Sequence, residues 1–206
     1  MSIVKLSNNG VKNATAFGSI TGLGSMIFIK KLTASSSATL SFVDGSDGVV
    51  LDDTYKEYVF TFNNMHPATN TANFTFNLST DSGSNYNVTK TTTWFQAYHK
   101  EDDSGAGLGY ETGQDLAQST AFQVINYGLG TDNDENCSGT LQLFSPSSSV
   151  FVKHFIATTN NSEASGYSVN GFMAGYGNTT SAVDAVRFQM SSGNIDAGDI
   201  CLYGIA

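Results

Sequence analysis

The chain has 206 residues and carries 8 Lys and 1 Arg against 18 acidic residues, for a net charge of −9. So few cations, scattered along the chain, exclude a nucleic-acid binder and disfavour an anionic membrane, because both need a concentrated basic surface to displace counterions. The acidity favours solubility and resists non-specific association, and 14 Phe, 9 Tyr and 1 Trp supply the material of an aromatic core.

Residues 1–24 read differently from the rest. Asn8-Asn9-Gly10, Gly18, Gly22 and Gly24 interrupt any strand signal, while Ile3, Leu6, Val11 and Phe17 are thinly spread. Two readings stay open, a frayed terminus and an extended arm that orders against another subunit. The spacing of the apolar residues favours the arm.

From residue 25 the apolar residues alternate with small polar ones. Phe60-Thr61-Phe62, Phe74-Thr75-Phe76, Leu141-Gln142-Leu143 and Val186-Arg187-Phe188-Gln189-Met190 are examples. Successive strand side chains point to opposite faces, so each run predicts a strand with one face in a core. The pattern predicts eleven strands: 26–32, 37–43, 56–64, 72–78, 92–99, 121–128, 139–144, 150–157, 167–175, 183–190 and 199–204. Short strands at close spacing, with Gly-rich turns such as Asp44-Gly45-Ser46-Asp47-Gly48, predict one all-β antiparallel sandwich over 25–206 with jelly-roll-like connections. A single helical turn is expected only within 111–119. Two long polar loops, 100–119 and 129–138, are where a rigid scaffold would carry function.

The chemistry-bearing residues do not assemble into a motif. His66, His99 and His154 lack metal-ligand spacing and no His-x-Glu or Cys-x-x-Cys accompanies them. The acid pairs Asp52-Asp53, Asp102-Asp103 and Asp134-Glu135 fall in turns, where Asp is favoured for backbone reasons. Asp132, Asp134 and Asn136 alternate as in a calcium loop, but Cys137 stands at the turn glycine and Leu143 at the bidentate acid. Gly105-Ala106-Gly107-Leu108-Gly109 is no phosphate loop, since no Lys-Ser/Thr follows. Cys137, in a polar loop, and Cys201, in the last strand, are expected as free thiols. No secretory or membrane-spanning run is read, so the seven Asn-x-Ser/Thr sequons (at Asn13, Asn73, Asn77, Asn87, Asn136, Asn160 and Asn178) are expected to reflect composition. No catalytic residue, cofactor or metal ligand is predicted. Tyr98, Tyr110, Tyr127, Tyr167 and Tyr176, near strand ends or loops, read equally as sugar-stacking faces, interface anchors or half-buried strand residues.

Three segments together carry a resemblance: Tyr55-Lys56-Glu57-Tyr58-Val59-Phe60-Thr61-Phe62 with His66-Pro67-Ala68-Thr69; Ser138-Gly139-Thr140-Leu141-Gln142-Leu143-Phe144 with Val152-Lys153-His154-Phe155; and Gly193-Asn194-Ile195-Asp196-Ala197-Gly198-Asp199-Ile200-Cys201-Leu202-Tyr203-Gly204-Ile205. The chain resembles virion structural proteins of tailed phages, particularly marine ones, whose β-sandwich closes with an Asp-Ala-Gly-x-Ile-x-Leu-Tyr strand. Some are stand-alone particle proteins and some are terminal domains of tail fibres.

The resemblance covers about residues 25–206 and brings no catalytic residues. It implies a component of the virion, assembled in the host cytoplasm and exposed on the extracellular particle. Its partners would be other capsid or tail proteins and further copies of itself, in a ring such as a trimer that covers the sheet edges. A capsid decoration protein or short surface appendage is the first expectation. A tail-fibre or tail-tip adhesin binding host glycan is the second, and a jelly-roll carbohydrate-active enzyme the third. If residues 1–24 are the docking arm, a chain lacking them should keep its circular dichroism spectrum and melting transition but fail to co-sediment with particles.

Overall fold

Each of the eleven expected strands forms, and a twelfth is added. The computed structural model describes residues 26–206, so the arm expected over 1–24 lies outside the described residues. In chain order the strands are β1 (Met26–Ser37), β2 (Leu40–Val43), β3 (Glu57–Pro67), β4 (Ala72–Ser79), β5 (Lys90–Lys100), β6 (Ala106–Tyr110), β7 (Gln123–Leu129), β8 (Cys137–Phe144), β9 (Lys153–Glu163), β10 (Tyr167–Gly177), β11 (Ala185–Met190) and β12 (Ile195–Ile205).

Eight of them form an antiparallel sheet in the order β1-β12-β3-β8-β9-β10-β5-β6, and four form a second in the order β2-β11-β4-β7. The chain changes sheet between most consecutive strands up to β5, and again at β6–β7–β8 and β10–β11–β12. This is a jelly-roll type of winding. The strands β1-β12-β3-β8 and β2-β11-β4-β7 form the two four-stranded halves of that winding, and β9, β10, β5 and β6 extend the large sheet beyond β8.

The two-residue period explains the layering. On β3, Tyr58, Phe60 and Phe62 are buried while Val59 and Thr61 are half-buried on the other face. Phe188 of β11 sits at the centre of the core, with Phe60 and Phe62 of the large sheet at 5.3 Å and Phe42, Phe74 and Phe76 of its own sheet between 5.8 and 6.4 Å.

Polar groups in the interior are held by hydrogen bonds, as burial demands. Pairing of β4 with β7 reaches only as far as Phe76. At the next residue Asn77 substitutes its side chain for a strand neighbour, donating to Tyr86 O at 2.6 Å and Thr120 O at 3.0 Å and accepting from Leu78 N at 2.8 Å. Asn77 is fully buried, which agrees with a compositional origin for its sequon.

Two lysines are also fully buried, Lys90 and Lys153, and both pair in register with Gly177 from either side of β10. Lys90 Nζ donates to Asn77 Oδ1 and, at 2.7 Å, to Val88 O. Lys153 Nζ donates to three carbonyls, those of Ser148, Phe151 and Thr179, tying the loop before β9 to the loop after β10.

Burial pushes the Lys90 ammonium down to about 7 from the ordinary 10.5. The folded chain therefore binds fewer protons than the unfolded chain between those two values, and stability rises with pH across that window. The parent's thermal midpoint should climb between pH 7 and pH 9, with the window set by the same two values. In Lys90→Met, which keeps an apolar stem and removes the amine, that climb should be smaller, since burial also lowers the pKa of the Lys153 amine that remains.

Candidate functional site

The large sheet overhangs the small one. β7, the last strand of the small sheet, packs on β9 and β10 and reaches β5 through Gln123 and Tyr127, so among the described residues the inner face of β6 has no strand opposite it. A cleft of about 270 Å³ opens there, lined by Gln96, Tyr98, Glu111, Tyr127, Glu163, Tyr167 and Val169. The pleat places them. Gln96 and Tyr98 are inward residues of β5, and Val169 pairs with Tyr98 on β10 while Tyr167 pairs with Glu163 at the end of β9. Tyr127 comes across from β7, and Glu111 follows β6.

Hydrogen bonds fix one wall. Tyr127 Oη donates to Gln96 Oε1 at 2.6 Å, and Gln96 Nε2 donates to Glu111 Oε1 at 2.7 Å. The Tyr98 and Tyr167 rings meet edge to face at 5.7 Å and 77°, forming a corner. Behind Tyr127 lies Trp94, fully buried, with ring centroids 5.3 Å apart. Burial pushes the Tyr127 hydroxyl up, and burial alone pushes the Glu163 carboxyl up. Among the described residues the Glu163 carboxylate has neither an ion-pair nor a hydrogen-bond partner. Two glycines make room for these side chains. A Cβ on Gly107 would lie 2.8 Å from Tyr98 Oη, and one on Gly128, whose φ is +72°, would lie 2.7 Å from Glu163 Oε1.

Of the five tyrosines singled out in the sequence, the fold gathers Tyr98, Tyr127 and Tyr167. Tyr110 instead bonds Asp115 Oδ2 at 2.6 Å on the exposed side, and Tyr176 lies beside His154 at 6.0 Å. Glu111 and Glu163 were missed, being single acids in no motif. The acid pairs stay in turns: Asp52 accepts from Thr54 N and Asp102 from Ser104 N.

His66 sits in a second hollow with Asn64, Asn133, Asn136 and Asp196. Its Nδ1 is 3.4 Å from Asp196 Oδ2 and its Nε2 is 3.2 Å from Asp132 O, so both ring nitrogens are engaged. His99 Nε2 lies 3.2 Å from Asp103 Oδ1, and His154 lies at the start of β9. Among the described residues, no three His, Cys, Asp or Glu side chains converge, in the 129–138 loop or elsewhere.

Three expectations need correction. Residues 106–110 of the predicted loop are strand β6, whose Gly107 and Gly109 removed the apolar alternation that would have revealed it. No helical turn forms in 111–119; one turn closed by Gln114 N to Glu111 O at 3.1 Å is followed by a return to the edge of β5, with Ser119 bridging Lys90. Cys137 is not in a polar loop but fully buried as the first residue of β8, opposite Met65 at a bulge, and burial raises its thiol pKa. Both cysteines are free.

The outer face of the same overhang is apolar. Phe95 and Phe172 stack at 4.8 Å and 10°. Across from them on β6 stand Tyr110 and Leu108, the latter 74% exposed, and Ile156 of β9 is 50% exposed beside Ala174.

Compared with known families, with curated proteins and with solved structures, the chain matches none.

Gly128→Ala should cost about 1–3 kcal/mol in a denaturant titration, from left-handed strain and displacement of Glu163. Gly109→Ala, whose Cβ would meet nothing within 4 Å, should stay within about 0.5 kcal/mol of the parent.

Proposed function

We propose that the chain is a non-enzymatic structural protein of a bacteriophage virion, a capsid decoration protein or short surface appendage that binds neighbouring subunits. The observation that carries this reading is the exposed apolar face around the Phe95–Phe172 stack, continuous with Leu108 and Tyr110 on an edge strand that is unpaired among the described residues. Apolar patches of this kind mark interaction surfaces, and an unpaired edge offers backbone hydrogen bonds to a further strand. A second copy of the chain meets both needs at once, the edges pairing and the apolar faces closing on each other. The likeness of 25–206 to tailed-phage virion proteins supports the same reading, as does a sandwich stiffened by an aromatic core.

The alternative, a tail-fibre or tail-tip adhesin that binds host glycan, is favoured by one specific observation. Tyr98, Tyr127 and Tyr167 converge on a cleft at the open end of the sandwich, where aromatic rings can stack on a sugar.

In light scattering the parent should be an oligomer, and Phe95→Asp/Phe172→Asp a folded monomer. Immunogold microscopy of particles should then label the shell. Label confined to the tail tip would favour the adhesin, and unlabelled particles would remove both readings.

A further inference from the structure

The cleft has an electrostatic demand that neither reading above uses. Its rim carries two carboxylates. Glu111 is steadied by Gln96 at 2.7 Å, but Glu163 is half-buried with no compensating cation among the described residues. Among the described residues, the Lys100 ammonium is bound to Asp102 at 2.9 Å and does not line the cleft.

Three phenol rings, with Gln96 and Val169, line the rest of the cleft, and the face of an aromatic ring is the negative pole of its quadrupole. Tyr167 already holds the Lys100 ammonium 5.9 Å from its centroid, so one of these rings meets a cation within the folded chain. A rim of two carboxylates repels an anion, and a neutral occupant would dry the Glu163 carboxylate without compensating it, which is costly. A cation answers both, pairing with the carboxylate and resting on the rings. The cavity of about 270 Å³ has room for one small organic molecule. Among the described residues, a bare metal ion would find only two carboxylates and no third ligating acid, His or Cys.

We propose that the Tyr98–Tyr127–Tyr167 cleft binds the ammonium group of a small organic cation, with Glu163 as its counter-charge and the three rings as its walls. The clearance at Gly107 and Gly128 is what lets Tyr98 and Glu163 lie back far enough to leave the cleft open. The ammonium can be a primary amine carried on a sugar or a quaternary trimethylammonium. These share the charge and differ only in what surrounds it. The proposal stands apart from the virion assignment, since it needs the cleft alone.

Trp94 is the only tryptophan of the chain and touches Tyr127, so its fluorescence reports on the cleft wall. The full-length protein is titrated at neutral pH with glucosamine, choline, N-acetylglucosamine and glucose, with calorimetry in parallel in case the indole is silent. Saturable binding of glucosamine, choline or both is expected, and which of them binds tells the sugar-borne amine from the quaternary one. Binding should weaken about tenfold in Glu163→Gln, as loss of a charge-assisted contact predicts, and similarly in Tyr98→Ala. A melting curve confirms that each variant is folded. Equal binding of N-acetylglucosamine or glucose, full affinity in Glu163→Gln, or no saturable signal with any of the four overturns the proposal. None of these results bears on oligomerisation or on particle labelling.

Discussion

Phe188 is the contact on which the two sheets depend. It belongs to the small sheet, yet five aromatic rings converge on it, two of them from β3 of the large sheet. Each such pair adds about 0.5–1.5 kcal/mol beyond the area it buries. Because these rings interlock, neither sheet can slide without breaking several contacts together. The cluster also concentrates the bulky apolar side chains between β2, β3, β4 and β11. Away from it the interior turns polar: Asn126 Nδ2 donates to Thr159 Oγ1 at 3.1 Å and to Asn161 Oδ1 at 3.0 Å between β7 and β9. Beyond that polar seam the small sheet ends and the cleft begins. The open end of the sandwich is thus where the phenylalanine cluster has run out and Trp94 and Tyr127 take its place.

What the sequence displayed was the part of this governed by period two. β3, β4, β8 and β11 alternate openly, and so the sandwich and most strand positions could be read from them. β6 escaped because glycine occupies its inward positions, leaving Ala106, Leu108 and Tyr110 spaced in a glycine-rich stretch that reads as a loop. The glycine is there for a tertiary reason, clearance for Tyr98 on the neighbouring strand, and no local signal carries that reason. The cleft was illegible on the same grounds. Tyr98, Tyr127 and Tyr167 were each visible as tyrosines near strand ends, but what joins them is the register of β5 against β10, which sets Val169 against Tyr98, and the placing of β7 opposite. Cys137 misled because its polar neighbours describe the loop before it, while its burial is decided by the bulge opposite Met65.

The buried lysines follow from the same geometry. Lys90 and Lys153 flank Gly177 at the end of β10 away from the cleft. With no side chain at Gly177, Leu78 and Val88 close on it from the core, while the two amines reach backbone carbonyls and Asn77. Two of the eight lysines are spent in this way on fastening loops to the sandwich. Burial lowers the pKa of both amines, so above neutral pH the Lys90 amine offsets less of the chain's acidity than an exposed lysine would.

The overhang sets two surfaces back to back on the same two strands. Along β5, Phe95 faces out while Gln96 and Tyr98 face the cleft; along β10, Phe172 faces out while Tyr167 and Val169 face the cleft. One residue of slip in the pairing of β5 with β10 would exchange the faces and destroy both surfaces together. The register is pinned along eleven consecutive pairs, from Tyr167 opposite Lys100 to Gly177 opposite Lys90. The proposed assembly surface and the proposed ligand cleft are therefore read from one pairing of strands, one from each side of the pleat. A subunit packed on the outer face would stiffen the strands that carry the cleft without entering it, so assembly and ligand binding can coexist in one chain.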